Sequence, residues 1–330
     1  MTSTGTTPRA DRSEGTPVRR TPPGTAATGS GTPPARRRRR RTGLTPYALS
    51  APALLVLAGV LGYPLVKLVV LSFQRWGLAQ IFNPDAEPSF AGLDNYRRIF
   101  SDRFFWTVLE RTVLVAAAMV VLSMLVGVAV ALLMQVVPAW CRWIMTFSLV
   151  LAWAVPHPVA TEMFAWMTDY NYGVLNDLLG IPQHNWYLEN TQGLAVATAV
   201  VVWGAVPLIA ITVHAAHSQI PRELVDAARV DGASPVQVLR WVTLPLLRPI
   251  LLMLAALSLI WDFQVFTQIW VLRQSNPTRD YFTLGIYAYA KAYYSHDYGY
   301  AAALAVVTVA LLLGVMVAYL RQILRMGDSA

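Results

Sequence analysis

Residues 217–248 read HSQIPRELVDAARVDGASPVQVLRWVTLPLLR and separate two long apolar runs, 194–216 and 249–272. A connector of that length is far more than a turn requires, so it predicts structure of its own. Pro221 suits the first turn of a helix, and Glu223 favours that end electrostatically. Leu224, Ala227 and Ala228 then share an apolar face of small volume. Gly232 can end the helix in the left-handed conformation that a side chain resists. Ser234 before Pro235, with Gln237 three residues on, carries the reciprocal cap that opens a second helix. Pro245 marks the start of the next apolar run. The expected product is a short helix-turn-helix, too small to hold a core alone, which has to rest on another surface.

Outward from this connector, apolar runs recur near 48–71, 112–134, 143–166, 194–216, 249–272 and 299–322. At about 1.5 Å per residue each crosses a hydrocarbon layer of about 30 Å. A helix satisfies its own backbone in lipid, and runs this continuous lack the alternation of barrel strands. The chain is therefore predicted to be an all-α membrane protein with six spanning helices. Of its 330 residues, 55% are hydrophobic and 13% charged, where soluble domains carry about 25% charged. The net charge of +8 could point to nucleic acid. The cations gather at one end and in short connectors, with no basic face interleaved by aromatics, which argues against a nucleic-acid partner.

Arginine placement sets the orientation. Arg36 to Arg41, Arg142, the group Arg222, Arg229, Arg240 and Arg248, and finally Arg321 and Arg325 fall on one side. The excess of cations on cytoplasmic segments puts that side, with both termini, inside a bacterial plasma membrane. The connector 168–193 has no Lys or Arg and carries Asp169, Asp177 and Glu189, so it goes outside. Connectors 72–111, with Arg75, Arg97, Arg98 and Arg103, and 273–298, with Arg273, Arg279 and Lys291, run against the rule. The dense N-terminal run and the 217–248 connector outweigh them. Residues 1–46 hold almost no large apolar side chains and cannot bury enough surface to order themselves. They read as a disordered cytoplasmic tail whose arginines fix topology and touch anionic lipid headgroups, ahead of a membrane domain at 47–330. The run 48–71 is longer than a signal-peptide core. The lone Cys141 allows no internal disulfide.

Glu223-Leu224-Val225-Asp226-Ala227-Ala228, Asp231-Gly232-Ala233 and Thr243-Leu244-Pro245 together resemble the EAA loop of permeases in binding-protein-dependent ABC importers. The family triplet is Glu-Ala-Ala, and Asp226 keeps its charge. Gly92-Leu93-Asp94-Asn95-Tyr96, Tyr172-Gly173-Val174-Leu175-Asn176 and Gly299-Tyr300-Ala301-Ala302-Ala303-Leu304 resemble further motifs of the carbohydrate-uptake members, similar to maltose and glycerol-phosphate permeases. The resemblance covers nearly everything from residue 48 on. It implies the type I importer permease fold, with Glu223, Asp226, Ala227, Ala228, Gly232 and Pro245 in the loop that couples to an ATPase. It implies as partners a second homologous permease, two cytoplasmic ATP-binding subunits, an extracellular solute-binding protein and a sugar. The stretches Trp153–Asn176 and Trp261–Trp270 resemble actinobacterial permeases for amino sugars such as diacetylchitobiose. Two departures stand out: Leu239 replaces a usual phenylalanine, and Ser275-Asn276-Pro277 stands where many relatives have Gly-Gly-Pro.

No phosphate-cradling G-x-x-x-x-G-K-[ST] occurs, so the chain has no evident means of hydrolysing ATP. No catalytic triad or zinc-protease motif appears, and no cofactor is expected. His214 and His217 stand on adjacent turns without an acidic or cysteine ligand beside them, which favours a polar role over metal. Polar residues within a span are costly and functional by default. Trp261, Gln264 and Gln268 fall at i, i+3 and i+7 of the expected fifth helix, and Asp262 alone costs about 2.5–3.5 kcal/mol at a helix centre. A carboxylate, amides and an indole suit sugar hydroxyls and ring faces. This face either lines a substrate path or forms a polar contact between helices. Trp203 is a weaker path candidate. The alternative to an ATP-driven sugar importer is an ion-coupled secondary transporter, which should show an ion site and internal repeats.

Overall fold

Lipid offers no partners for a backbone N–H or C=O, and the apolar runs accordingly fold as helices. The computed structural model describes residues 45–83 and 85–327. Most of the expected tail, residues 1–44 with its six arginines, lies outside the described residues. The chain divides into two units, residues 1–54 and 55–330. In the first, the described residues belong to helix α1 (Thr45–Leu57).

In the second unit, α2 (Tyr63–Ser72) leads into a two-stranded hairpin, β1 (Gln74–Arg75) and β2 (Ser89–Phe90), around the short α3 (Ala79–Phe82). Then follow α4 (Asp94–Ser101), α5 (Arg103–Val136), α6 (Ala139–Ala154), α7 (His157–Met167), α8 (Val174–Leu179) and α9 (Asn190–His217). The last group is α10 (Arg222–Val230), α11 (Pro235–Val238), α12 (Leu244–Asp262), α13 (Thr267–Leu272), α14 (Leu284–Tyr293) and α15 (Tyr298–Gly327). Among the described residues, five helical stretches are long and apolar enough to span: Ser50–Ser72, Arg103–Val136, Asn190–His217, Pro235–Asp262 and Tyr298–Tyr319. The bent pair α6 and α7 makes a sixth.

The centre of the bundle is the crossing of α5 and α9. Small residues let the two backbones approach, as membrane helices require. Ala116 and Ala131 on α5 and Ala197 and Ala210 on α9 are buried, and a Cβ at Gly127 would lie 2.5 Å from Ile209 Cγ2. One apolar core joins Phe105, Val108 and Met119 to Leu284, Ile286 and Leu304; a second joins Ala131, Ile209 and Val213 to Leu247 and Leu254.

The three motifs outside the 217–248 connector are joints. Asp102 caps α5 by accepting from Phe104 N and also accepts from Tyr287 OH at 2.8 Å. Asn95 Nδ2 donates to the carbonyls of Ser72 (2.9 Å) and Gln74 (3.0 Å), tying α4 to the end of the first span. Gly299 lies so close to the Gln74 carbonyl that no Cβ fits. Asn176 Nδ2 donates to Asp169 O and His184 O, both 3.0 Å, while Asn176 Oδ1 accepts from Trp186 Nε1 at 2.6 Å.

Three spans differ from the sequence reading. The expected single helix 143–166 bends by 99° between Ala154 and His157. The expected fifth helix 249–272 starts well before 249 and ends at Asp262, with α13 a separate piece. The second span also starts earlier than expected, at Arg103, because the capping carboxylate is Asp102.

Candidate functional site

Both broken spans border the same cavity. Proline cannot continue a helix and drives its predecessor to extended backbone. Val155 has φ −71°, ψ 124° and Pro156 has φ −59°, ψ 135°, which ends α6 and restarts the chain as α7. The second break follows Asp262. Gln264 N and Val265 N make only turn bonds, to Trp261 O and Asp262 O, and Phe266 sits at φ −133°, ψ −58°. Thr283 Oγ1 donates to the Val265 carbonyl at 3.1 Å, satisfying one group that the break frees. Irregular backbone inside a membrane bundle is tolerated where it is buried in protein or lines a wet cavity, and broken helices mark substrate sites in transporters.

The cavity has a volume of about 610 Å³, within the range of about 300–1,000 Å³ for small-molecule sites. Val155 and His157 border it from the first break, Gly204 from α9, and Trp261, Asp262, Gln264 and Gln268 from the second. A Cβ on Gly204 would meet His157 Cε1 at 3.2 Å, so the glycine gives the imidazole its seat. Gln264 Nε2 donates to Ile260 O at 3.2 Å. Asp262 is 6% exposed, and its Oδ2 is buried with no hydrogen-bond partner among the described residues.

Four of the five predicted path residues thus come together. They do not form one face of a continuous helix, because the helix stops between Trp261 and Gln264; the break gathers them instead. Trp203 does not border the cavity, its ring lying 6.2 Å from that of Phe164 in an edge-on contact. Sequence reasoning missed His157. The signal was there: His157 stands between Pro156 and Pro158, inside a run whose apolar continuity concealed the break.

The 217–248 connector is built as its residues predict, with one correction. α10 ends at Val230, and Gly232 just beyond it, at φ +83°, turns the chain. Ser234 N donates to Gln237 Oε1 at 2.7 Å and Ser234 Oγ accepts from Gln237 N at 3.4 Å, completing the reciprocal cap. The second helix is not a separate element. It runs through a wide π turn at Leu239–Thr243 into α12, forming one span from Pro235 to Asp262. Pro245 lacks the N–H an α turn would use, and the wide turn lets the chain pass without stopping.

Around α10 the surface is unfinished. Glu223, Asp226 and Ala227 are exposed, Arg229 reaches Asp226 at 3.6 Å, and Ala228 with Asp231, Gly232, Gln237 and Trp241 borders a groove of about 350 Å³. Leu224, Val230 and Trp241 are exposed as well, at 46%, 88% and 70%. Apolar side chains gathered on a protruding loop mark a contact surface. Elsewhere, His214 Nδ1 accepts from Gln135 Nε2 at 2.9 Å. A separate polar hollow holds Arg273 over the Tyr281 ring, 4.5 Å away, with Tyr281 OH donating to Tyr187 O and Glu189 O. Burial pushes the phenols of Tyr187 and Tyr281 up, which keeps both as neutral hydroxyls.

A family profile described as "Binding-protein-dependent transport system inner membrane component" matches residues 123–326. The chain is 37% identical over 307 residues to the diacetylchitobiose uptake system permease protein DasB of Streptomyces coelicolor, covering 91% of this chain and 93% of the relative. It is 34% identical to the sulfoquinovosyl glycerol transport system permease protein SmoG of Agrobacterium fabrum, covering 83% and 89%. Among solved structures it is similar in fold to a chain of a bacterial ABC transporter involved in the import of the acidic polysaccharide alginate. That match has a TM-score of 0.72 at 18% identity, covering 85% of this chain and 95% of that one.

Proposed function

Because this chain belongs to the family of binding-protein-dependent transport system inner membrane components, we propose that it is a permease subunit of an ATP-driven sugar importer. It works with a second homologous permease, two cytoplasmic ATP-binding subunits and an extracellular solute-binding protein that delivers the sugar. Both termini and the α10 loop lie in the cytoplasm.

One observation supports this reading most directly. A single unbroken helix, Pro235–Asp262, starts beside the exposed α10 loop and ends at the cavity. Its 28 residues make a rod of about 40 Å. The chain carries no nucleotide-binding motif, so force has to enter from another subunit. The small side chains of Ala227 and Ala228 let a partner backbone come close, while Glu223 and Asp226 meet its cations. Closure of the ATPase pair pulls α10, and the rod carries that displacement to the second break. The break and the opposed bend at Val155–Pro156 then change which side of the membrane the cavity opens to. In the cavity, Trp261 offers an apolar face to a sugar ring, and Asp262, Gln264 and Gln268 offer hydrogen bonds to its hydroxyls.

The likeness to a permease named for diacetylchitobiose uptake makes that disaccharide the first substrate to try. The test is uptake by proteoliposomes holding the full importer, across a sugar panel. Uptake that follows ATP hydrolysis and ignores a proton ionophore is the expected result. Uptake that survives ATP removal and stops with the ionophore would overturn the reading in favour of ion coupling.

A further inference from the structure

We propose that α4 and the turn into α5 form an interfacial anchor that binds anionic lipid headgroups, with Arg97 and Arg103 on the phosphates. With the orientation given above these are headgroups of the outer leaflet, and the site is independent of which sugar is carried. The external connectors hold cations against the rule that fixes topology. Most of those cations are accounted for within the chain. Arg75 meets Asp94 at 3.2 Å, and Arg98 meets Asp297 at 2.8 Å. Arg111 donates to the carbonyls of Arg279 and Phe282. Arg273 and Arg279 lie over the rings of Tyr281 and Phe104, and Lys291 lies over those of Tyr287 and Tyr300. Arg97 and Arg103 are exposed, and among the described residues their side chains meet no acid, carbonyl or ring. Asp102, beside Arg103 in sequence, is occupied by Phe104 N and Tyr287 OH. Two cations held outside without a protein partner call for anions from elsewhere.

The surface around them has the makeup of a membrane interface. Asn95 and Ile99 are buried and turn one side of α4 inward. At about 100° per residue, Leu93, Arg97 and Phe100 fall on the opposite side, and the leucine and phenylalanine are 68% and 51% exposed. Trp106 is also half exposed. Its Nε1 donates to Phe100 O at 3.0 Å, which uses its one donor and leaves an apolar ring outside. Apolar side chains on such a face enter the acyl boundary, while long arginine side chains reach up to phosphate. The level is fixed as well. Asn95 ties α4 to the carbonyls of Ser72 and Gln74, where the first span ends. The face therefore lies at the edge of the hydrocarbon, among headgroups, and does not stand clear of the bilayer as a dock for a soluble partner would. Each arginine near an anionic surface gains about fivefold in occupancy, so the pair gains about tenfold or more once salt screening is counted.

The test uses the full importer in phosphatidylcholine vesicles holding a trace of photoactivatable lipid. Phosphatidylglycerol and phosphatidylcholine probes carry a diazirine at the same acyl carbon beside the headgroup, so that only the headgroup differs. Labelled peptides are mapped by mass spectrometry. Phosphatidylglycerol is expected to label residues 90–106 about tenfold more than phosphatidylcholine does. In the double variant Arg97→Gln, Arg103→Gln that preference is expected to fall to about twofold or less, with labelling elsewhere unaltered. Equal labelling of 90–106 by the two probes in the unaltered importer overturns the proposal, and this comparison needs no variant to fold. Absence of label on 90–106 from either probe puts the face out of reach of lipid and overturns it as well. A tenfold preference that persists in the double variant does the same. The rival occupant of such a face is the solute-binding protein. If the double variant keeps its phosphatidylglycerol preference but loses the ATP hydrolysis that the binding protein stimulates, the two arginines belong to that contact and the lipid anchor falls.

Discussion

Trp261 and Gln264 stand on either side of the point where the fifth span breaks, and both border the cavity. If they hold the sugar, Trp261→Ala and Gln264→Ala each raise the apparent KM for uptake about tenfold or more, the loss of one stacking or hydrogen-bonding contact. ATP hydrolysis in the absence of sugar should persist; unchanged uptake kinetics in both variants would remove them from the path. Gly299 carries a different kind of prediction. With the Gln74 carbonyl where its Cβ would be, Gly299→Val should cost about 1–3 kcal/mol of stability as an overpacked joint, read as a lowered melting temperature in detergent. A melting temperature equal to the unaltered protein's would show that the hairpin and α15 are not held this tightly. The roles of Asn95, Asn176 and Gly299 were not legible from their types alone. Each serves backbone groups that are distant in sequence, and only the fold says which.

At the scale of elements, the connector was the most legible part. Gly232 and the Ser234–Gln237 cap are local chemistry, fixed by residues within one or two turns, and the structure forms both. What could not be read was that α11 continues into α12, because Pro245 looks like a boundary and its accommodation by a π turn depends on packing. The two breaks split the same way. Pro156 is a visible breaker, outweighed by the length of the apolar run around it. The break after Asp262 has no proline or glycine, and its trace in the sequence is the cluster of polar residues it exposes. The continuous helix between loop and cavity yields its own prediction. Leu251→Pro, in the middle of the rod, removes one backbone bond and bends it. ATP hydrolysis should continue while sugar uptake drops about tenfold or more, since force no longer arrives. Uptake and hydrolysis falling in equal proportion would argue against the rod as the transmitter. Ser234→Ala should weaken the cap by about 1 kcal/mol and lower coupling more mildly, measured as sugar moved per ATP split.

For the whole molecule, the described residues hold six spans counting the bent pair, an exposed small-residue loop and a cavity bordered by two broken helices. The number of spans and their helical nature followed from apolar length alone, because lipid leaves few alternatives. The location of the cavity did not, because it depends on where helices fail. The central claim is that an ATPase grips α10 and works through the attached helix. The direct measurement is disulfide capture in the assembled importer, with Cys141→Ser as background, Ala228→Cys on this chain, and single cysteines along the surface of the ATPase subunit. The account predicts a crosslinked pair at one or a few positions within a cleft, with a yield that changes between nucleotide-free and ATP-bound complex. No crosslink at any position, in a complex that stays assembled and transports sugar, would contradict it.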